Sequence, residues 1–409
     1  MERIDERIPG IDLPLMSVSQ TRGVIRRSEL TDKPQRAESL DAYKVCRQND
    51  VVFNKMSIRA GAMGVAPEDG LVTYHYEVMR ARNESDPRYV VYVMKSAWFT
   101  EELIKRERGI GAGDQANVRT TEVPFSVLKT VDCYLPEPAE QRTIADFLDR
   151  ETARIDTLID EQQRLIDLLR NRRSTVIADA VVRGIDKCRL GTERFSWIGV
   201  LPANWIPAKV KHLGAVTLGK MLQGANSGSD VRAPYMRAAN VQPDGFLRED
   251  DVKEMWFSKA ELEALDLRQG DVVVVEGGVG GYGRAAYLDS DLLGWGFQNS
   301  INRIRPNRQV DGRYIAYFLI MARASGFLQG YCNVVSMPHL TAEKLNAMPI
   351  PLPPADEQRR IADHLDEQTS KIDTLIVETE KFIELSRERR AALITAAVTG
   401  LINVRTEAV

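Results

Sequence analysis

Residues 135–149, which read LPEPAEQRTIADFLD, recur as residues 352–366, which read LPPADEQRRIADHLD. The match continues without a gap, and about half of the positions are identical between residues 135–181 and 352–398. Self-similarity of this extent indicates an internal duplication, because chance does not align so many positions in one gapless stretch. The sequence therefore contains two copies of one structural element.

Each copy is predicted to form one long helix. Pro138 and Pro353 lie near the two starts, where a fixed φ angle helps and no backbone donor is lost. Gly184 and Gly400 lie where each helix should stop, since glycine readily adopts the left-handed conformation of a helix end. A helix of some forty residues would be roughly 60 Å long.

The apolar positions of both helices step by three, four or seven residues, which is typical of a coiled-coil seam. The predicted seam residues are Ile144, Leu148, Ile155, Leu158, Leu165, Leu169, Ile361, Leu365, Ile372, Leu375, Phe382 and Leu393. Ile159, Ile166, Ile376 and Ile383 flank this seam and widen the apolar face for a partner. A homodimeric coiled coil is one interpretation. Two copies in one chain favour antiparallel pairing with each other.

The segments ahead of the helices are related more faintly. Residues 14–20 align with residues 234–240, and residues 50–54 align with residues 271–275. A glycine-containing turn follows both residues 50–54 and residues 271–275. These segments carry short strand-like runs rich in β-branched residues. Because the helices match closely and the preceding segments have diverged, the sequence suggests one frame that carries two heads with different targets.

The predicted fold class is therefore α+β. Two mixed α/β domains are joined by two long antiparallel helices, with a pseudo-twofold internal repeat. The predicted boundaries are 1–134 for the first head, 135–185 for the first helix region, 186–351 for the second head, 352–402 for the second helix region and 403–409 for a tail.

Composition excludes several classes of protein. The 409 residues are 44% hydrophobic and 28% charged, and no run approaches the ~18 apolar residues of a membrane span. The four cysteines lie far apart without a Cys-x-x-Cys pair, which argues against a zinc site or a disulfide framework and favours a reducing cytoplasm. A net charge of −3 excludes a uniformly basic surface but permits a local basic groove.

Two glycine-rich segments resemble nucleotide-binding motifs only in part. Residues 278–283 fit G-x-G-x-x-G, but a strand-like run follows and the expected acid is missing, so a tight turn between strands is favoured. Residues 214–220 approach a P-loop, but Met221 stands where a magnesium-binding hydroxyl is required.

No catalytic residue and no metal site is predicted. The four histidines show no metal-ligand spacing, and no cysteine lies beside them. Asp149 and Asp156 recur as Asp366 and Asp373, and their positions on long helices predict ordinary solvent-facing charges. The chain is therefore expected to have no active site of its own.

The duplicated Leu-Pro-x-x-x-Glu-Gln-Arg-x-Ile start of a long helix, preceded each time by a variable head, resembles the specificity subunit of type I restriction-modification systems. Residues 195–205, FSWIGVLPANW, are similar to the segment that leads into that family's second target-recognition domain. Residues 15–24 and 50–56 are similar to one common class of first target-recognition domain. The resemblance covers nearly the whole chain.

The resemblance implies a function without catalysis. In that family each recognition domain reads one half of a bipartite DNA target, and the paired helices fix the spacing and dock two methyltransferase subunits. A separate translocase-nuclease subunit joins them in a complex that acts as a site-specific deoxyribonuclease and adenine-N6 methyltransferase. S-adenosylmethionine, ATP and Mg²⁺ are implied for these partners and no cofactor for this chain. The expected location is the cytoplasm.

The chain departs from the family at its start. The segment between the first helix and Pro234 has no counterpart ahead of Pro14, although the family usually carries one there. The first recognition domain is therefore expected to lack its usual N-terminal lead-in.

Residue chemistry selects the candidate DNA contacts. Arg, Asn, Gln, Lys and Ser read base edges, and Arg and Lys on phosphates set orientation. The candidates are Gln20, Arg22, Arg26, Arg27, Asn54, Lys55, Arg59, Tyr74 and Tyr76 in the first head, and Arg237, Asn240, Gln242, Asn299, Ser300, Asn302, Ser336 and His339 in the second.

Two other functions remain open from the residues. One is a self-contained nucleotide-dependent enzyme that uses residues 214–220 or 278–283. The other is a coiled-coil adaptor that does not bind DNA. Methylation or cleavage of DNA by the purified chain would favour the enzyme, and binding to a bipartite DNA sequence would exclude the adaptor.

Overall fold

The structure, a computed structural model, describes residues 1–32, 39–82, 84–108, 123–133, 135–186, 190–278, 280–332 and 338–404. The chain forms two compact units. The first unit contains Met1–Arg164 and Thr379–Val409, and the second unit contains Leu165–Glu378. The division passes through both long helices, so each unit consists of one head and a part of each helix.

The heads contain short strands and helices, and each is followed by a long helix. In chain order the elements up to the first long helix are β1 (Glu2–Ile4), β2 (Met16–Ser19), β3 (Gly23–Arg26), β4 (Lys44–Cys46), β5 (Val51–Asn54), β6 (Met63–Val65), β7 (Gly70–Val72), β8 (Tyr76–Arg80), α1 (Pro87–Lys95), α2 (Ala97–Arg108), α3 (Phe125–Leu128) and α4 (Pro138–Arg183). The later elements are β9 (Leu190–Phe195), β10 (Gly199–Pro202), β11 (Ile206–Lys209), α5 (Val210–Leu213), β12 (Gly214–Leu218), β13 (Val231–Met236), β14 (Lys253–Phe257), α6 (Lys259–Ala264), β15 (Val272–Val275), β16 (Ala285–Tyr287), β17 (Gly296–Phe297), β18 (Ile301–Pro306), α7 (Gly312–Ala324), α8 (Phe327–Tyr331), α9 (Ala342–Ala347), β19 (Pro349–Leu352) and α10 (Ala355–Val398).

The long helices confirm the prediction from the repeat. Helix α4 has 46 residues and helix α10 has 44. Gly184 and Gly400 follow their ends with φ angles of 75° and 72°, the left-handed conformation expected at a helix stop. Among the described helices, none combines the length and the apolar composition that a membrane span requires.

Each head is built on a four-stranded antiparallel sheet with the same strand arrangement. The order is β1-β8-β5-β6 in the first unit and β12-β18-β15-β16 in the second. Asp50 binds Arg80 with two hydrogen bonds of 2.8 Å, and Asp271 binds Arg305 at 2.8 and 2.7 Å. The sheets are therefore equivalent, and the predicted alignment of residues 50–54 with 271–275 is correct.

The sheet cores explain why these segments become strands. All four residues of β15 are valines that are fully buried, and β18 on one side and β16 on the other satisfy their backbone groups. β-branched side chains suit this doubly covered position, because their restricted χ1 angles fit a pleated surface.

A duplicated glutamine attaches each long helix to its head. In the first unit the Asp86 backbone N–H donates to Gln141 Oε1 at 3.0 Å, and Gln141 Nε2 donates to the Pro136 carbonyl at 2.7 Å. In the second unit Gln358 makes the same two contacts with Asp311 and Pro353, at 3.1 and 2.8 Å. The recurrence of the Glu-Gln-Arg motif is thus explained by its glutamine, which is buried in both copies and attaches the helix to its head. We call each set of head-to-helix contacts a junction.

Arginine and tyrosine complete the first junction. Arg88 donates to Asp149 at 2.8 Å and pairs with Asp146 at 2.8 Å, while the Tyr92 hydroxyl donates to Asp149 at 2.7 Å. Burial, together with the neighbouring Asp149 carboxylate, raises the pKa of Tyr92 above its ordinary value. The phenol therefore stays protonated and keeps donating.

The second junction repeats this arrangement. Arg313 donates to Asp363 at 2.8 Å and to Asp366 at 2.7 Å, and the Tyr317 hydroxyl donates to Asp366 at 2.8 Å. The interpretation of the recurring aspartates as ordinary solvent-facing charges was wrong. The Asp149 and Asp366 carboxylates are 44% and 45% exposed, but each is paired with an arginine of its head.

Both long helices turn a buried face towards the core of each unit. The buried positions on α4 include Ile144, Leu148, Thr152, Ile155, Ile166, Leu169, Arg173, Ile177 and Ala180, and those on α10 include Ile361, Leu365, Thr369, Ile372, Thr379, Ile383, Ser386, Ile394 and Ala397. The hydroxyls of Thr152 and Thr369 donate to the carbonyls of Leu148 and Leu365, which permits their burial.

The predicted seam was partly misplaced. Leu165, Leu375 and Phe382 are 40%, 48% and 43% exposed, and Leu158 and Leu393 are partly buried. The reason is that polar residues occupy some of the buried positions of each helix. A search for apolar residues alone therefore selects positions on the adjacent, more exposed side of the helix. Ile166 and Ile383, predicted as flanking residues, belong to the buried row.

An ion pair closes the helix pairing in each unit. In the second unit Arg173 Nε donates to Asp373 at 2.9 Å and its Nη2 donates to the Asp244 carbonyl at 2.8 Å, with the arginine side chain 8% exposed. The repeat-equivalent pair in the first unit joins Arg390 to Asp156 at 2.8 Å, with the arginine 29% and the aspartate 52% exposed.

We expect Arg173→Met to lower the free energy of unfolding by about 3 kcal/mol, because it leaves a partly buried carboxylate without its charge partner. Asp373→Leu added to this variant should restore most of the loss. Urea denaturation measures both. Arg390→Met is the matched control and should cost only about 1 kcal/mol or less, since its pair is more exposed. Equal losses at the two arginines would contradict the burial argument.

Candidate nucleic-acid interface

Three chain segments meet at one end of the second head's four-stranded sheet. The register pairs Leu218 with Asn302 and Val275 with Ile301, which places the end of β12, the end of β15 and the start of β18 together. Backbone hydrogen bonds join them: Asn299 N–H donates to the Lys220 carbonyl at 2.8 Å. We call the polar residues at this sheet end the second rim, which comprises Lys220, Glu276, Asn299, Ser300 and His339.

Backbone contacts bring His339 to the same place. Glu276 N–H donates to the Ser300 carbonyl at 2.9 Å, and Leu340 N–H donates to the Glu276 carbonyl at 2.7 Å. Gly277 forms a bridge with His339, and a Cβ added at Gly277 would lie 2.4 Å from the His339 Nδ1. Glycine is therefore required there for the imidazole ring to approach the backbone.

The structure thus brings together three of the predicted second-head contacts, Asn299, Ser300 and His339. Two others are buried within the fold. Asn302 is fully buried and its Nδ2 donates to the Leu340 carbonyl at 3.1 Å, while Asn240 is 3% exposed and its Nδ2 donates to the Arg248 carbonyl at 2.8 Å. These two asparagines hold loops rather than face solvent, which corrects the expectation for them.

The remaining second-head candidates lie outside the second rim. Arg237 pairs with Asp251 and is mostly covered, and Gln242 Nε2 donates to the Ala239 carbonyl at 2.9 Å. Ser336 lies outside the described residues.

Glu276 is a rim residue that sequence reasoning missed. It is partly buried, and among the described residues its carboxylate has no hydrogen-bond donor. Burial raises the pKa of Glu276, while the nearby His339 lowers it. The sequence feature that could have identified Glu276 is its position as a single acid directly after four valines. These valines are buried, so an unpaired charge beside them is costly.

We expect Glu276→Gln to stabilise the protein at pH 7 by about 0.5–1 kcal/mol. A raised folded pKa means that ionisation opposes folding, so this penalty is present above the folded pKa and disappears as pH falls below the unfolded value. Thermal unfolding at pH 7 and at about pH 4 measures the difference. Glu261→Gln is the control and should instead destabilise the protein at pH 7. Glu261 pairs with Lys220 and accepts a hydrogen bond from the Ser258 backbone N–H, and these contacts lower the pKa of Glu261. Destabilisation by Glu276→Gln at pH 7 would contradict an unpaired carboxylate.

The first head has a corresponding rim. The register pairs Asn54 with Tyr76, so the turn after β5 and the start of β8 lie at one sheet end. We call this surface the first rim; it comprises Asn54, Lys55, Arg59, Tyr74 and Tyr76. All five were predicted as contacts.

The side chains of the first rim include both aromatic and basic groups. Tyr74 is 54% exposed, with its ring centroid 4.0 Å from that of His75. Lys55 Nζ lies 3.7 Å from the carboxylate of Glu77, which is almost completely buried. Arg59 lies in the turn after β5, and burial lowers its pKa.

Four further first-head candidates lie on the β2–β3 hairpin and after it. Arg22 pairs with Glu29 at 2.9 Å, and Arg26 makes a two-bond pair with Glu68. Gln20 is exposed in the turn, and Arg27 begins a short 3-10 helix. The ion pairs of Arg22 and Arg26 join them to Glu29 and Glu68 and not to residues of the first rim.

The two rims differ at equivalent positions. The shared Asp–Arg pairs fix the alignment of the two sheets, so Lys55 of the first rim corresponds to Glu276 of the second. Tyr74 correspondingly aligns with Asn299. At these two equivalent positions the first head therefore presents a basic and an aromatic side chain, and the second head presents an acidic and an amide side chain.

The glycine-rich segments have structural roles that do not fit nucleotide motifs. Residues 214–218 form strand β12, and Lys220 pairs with Glu261. Gly278 and residues 280–283 form a turn between β15 and β16, as predicted, and no helix begins among these described residues. Within the described residues, no group of His, Cys, Asp or Glu is arranged to hold a metal ion.

Comparison with known proteins gives one consistent family. The family model described as "Type I restriction modification DNA specificity domain" matches residues 205–384. The type I restriction enzyme StySPI specificity subunit of Salmonella potsdam is 24% identical over 211 residues, covering 50% of this chain and 44% of that protein. The type I restriction enzyme MjaVIII specificity subunit of Methanocaldococcus jannaschii is 21% identical over 372 residues, covering 88% of this chain and 81% of that protein.

Solved structures share the fold. A chain from work on "complex assembly and conformational transition of the type I R-M system" superposes with a TM-score of 0.70 and 16% identity, covering 97% of this chain and 94% of that one. The HsdS subunit from Thermoanaerobacter tengcongensis gives a TM-score of 0.53 at 16% identity, covering 98% of this chain and 94% of that one. With its duplicated helices and two equivalent heads, this chain is similar to type I restriction-modification specificity subunits, and its residues 205–384 match the DNA specificity domain of that family.

Proposed function

We propose that this chain is the DNA sequence-specificity subunit of a type I restriction-modification complex, and that each head reads one half of a bipartite DNA target. The observation that supports this proposal is the pair of equivalent sheets with different rims. A protein that recognises two different half-sequences needs one frame used twice and different side chains at the recognition surface. In this proposal the chain catalyses no reaction.

The rims carry the chemistry that base reading requires. In the second rim, the Asn299 amide offers donors and an acceptor, and a glutamate such as Glu276 accepts a hydrogen bond from the amino group of cytosine. In the first rim, Lys55 and Arg59 suit guanine edges or phosphates. The two heads are therefore expected to prefer different bases.

The long helices offer two equivalent surfaces for partners. Leu165 and Leu168 are 40% and 66% exposed in the second unit, and the repeat-equivalent Phe382 and Leu385 are 43% and 53% exposed in the first. Exposed apolar side chains on a paired helix indicate a binding surface. Because the surface occurs twice, we propose that it docks two copies of one partner, the methyltransferase subunit.

The remaining partners and cofactors follow from this proposal. S-adenosylmethionine would be bound by the methyltransferase subunits, and ATP and Mg²⁺ would serve a translocase-nuclease subunit. No cofactor is assigned to this chain, and the complex would act in the cytoplasm on double-stranded DNA.

Methylome sequencing tests the function. Cells that express this chain with its cognate methyltransferase should acquire adenine methylation at one bipartite sequence, and cells with the methyltransferase alone should not. Methylation by the purified chain alone would favour the self-contained enzyme. A complex that assembles but never binds or modifies DNA would favour the coiled-coil adaptor.

A further inference from the structure

The glycine-rich turn between β15 and β16 exposes its carbonyl groups to two arginines. Gly281 N–H donates to the Gly278 carbonyl at 3.0 Å, and Gly283 N–H donates to the Val275 carbonyl at 2.8 Å, which closes the turn. Gly278, Gly280 and Gly283 have φ angles of 106°, 73° and 73°, which favour glycine over other residues. The motif therefore fixes a compact backbone shape.

Arg284 and Arg323 converge on one atom of this turn. Arg284 Nη2 donates to the Gly280 carbonyl at 3.2 Å, and Arg323 Nη2 donates to the same oxygen at 3.0 Å. Arg323 Nε also donates to the Tyr282 carbonyl at 3.3 Å. Two guanidinium groups, one from the residue directly before β16 and one from helix α7, are thus held side by side.

No carboxylate forms an ion pair with either arginine among the described residues. Within the described ranges, Arg284 and Arg323 have no acidic oxygen within 4.0 Å, and their hydrogen bonds go to backbone carbonyls, including one of 3.5 Å from Arg284 Nη1 to the Val241 carbonyl. Arg284 Nε is buried without a hydrogen-bond partner. Burial lowers the pKa of Arg323, repulsion from Arg284 lowers it further, and the attraction of the nearby Asp244 only partly offsets these effects. Neighbouring like charges of this kind are costly unless an anion joins them.

We propose that Arg284 and Arg323 together bind one phosphate of the DNA backbone. The turn directly follows Glu276 and Gly277, so the arginine pair lies at the same sheet end as the second rim. A phosphate held there would set the orientation of the duplex while the second rim reads the bases. This inference rests on the proposed DNA-recognition function and assigns it one further site.

The salt dependence of DNA binding tests the site. The full chain, co-expressed with its methyltransferase, is titrated with a short random-sequence duplex between about 50 and 200 mM salt. Arg284→Gln and Arg323→Gln should each reduce the slope of log affinity against log salt by about one, and weaken binding at low salt about tenfold. Arg308→Gln is the matched control, since Arg308 is an exposed arginine beyond the opposite end of β18. It should leave the slope unchanged.

Each alternative gives a different result. If the arginines only brace the turn, the thermal midpoint falls and the salt slope stays at the wild-type value, which overturns the proposal. If they bind a carboxylate of a protein partner, assembly with the methyltransferase fails and DNA binding by the assembled fraction is normal, which also overturns it. Arg323→Lys keeps the charge and should retain the slope. A wild-type complex that binds no DNA at all would instead refute the proposed function.

Discussion

A chain in which residues 1–134 are replaced by a second copy of residues 186–351 is expected to recognise a target whose two halves are the same sequence. The reason is the duplicated junction. Gln141 and Gln358 make the same pair of contacts, and each long helix offers aspartates to an arginine and a tyrosine of its head. The second head therefore brings with it every residue that the first junction requires.

The half of the target that the replaced head reads should change completely, and the other half should not change. Because the frame is pseudo-twofold, the new target should be an interrupted palindrome, read identically on both strands. Methylome sequencing measures it. The reciprocal chain, with residues 186–351 replaced by residues 1–134, is the matched control and should give a palindrome of the other half-sequence. Persistence of both original half-sequences in either chain would refute the assignment of one half-site to each head.

Much of the frame was predictable from sequence because its signals are local. A gapless repeat, prolines before each helix and glycines after it define α4 and α10 without any knowledge of what they contact. The alignment of residues 50–54 with 271–275 likewise located equivalent strands, since buried β-branched runs are conspicuous in a sequence. The candidates of the first rim were found for the same reason: they directly follow or precede these strands.

What sequence could not provide are contacts between distant residues. Asp149 reads as a surface charge until Arg88 of the head is placed beside it. Arg173 reads as a helix-surface arginine, although it is buried against Asp373, so an apolar search of α4 skips it. Asn302 reads as a base-contacting amide, although its strand position makes it fully buried. In each case the tertiary partner, and not the local pattern, decides the role.

Duplicating residues 161–164 in α4 together with the equivalent residues 378–381 in α10 is expected to lengthen the unread spacer between the half-sites by one or two base pairs. Four residues lengthen a helix by ~6 Å and rotate its far end by roughly 40°. One base pair advances DNA by ~3.4 Å and rotates it by about 35° in the same sense. The buried row persists because a four-residue insertion only locally changes the supercoil.

Duplicating seven residues, 158–164 with 375–381, makes the contrasting variant. This variant preserves the heptad phase better. The added residues lengthen each helix by ~10 Å but rotate its far end by only about −20°. Three base pairs of DNA have a similar length but rotate the duplex by about 105°. One head would then face away from its groove, so methylation should fall to background although the chain folds with normal thermal stability. The four-residue variant should keep both half-sequences, since no rim residue changes. Methylation by that variant at an unchanged spacer, or normal methylation by the seven-residue variant, would show that the length and phase of the helices do not set the spacing.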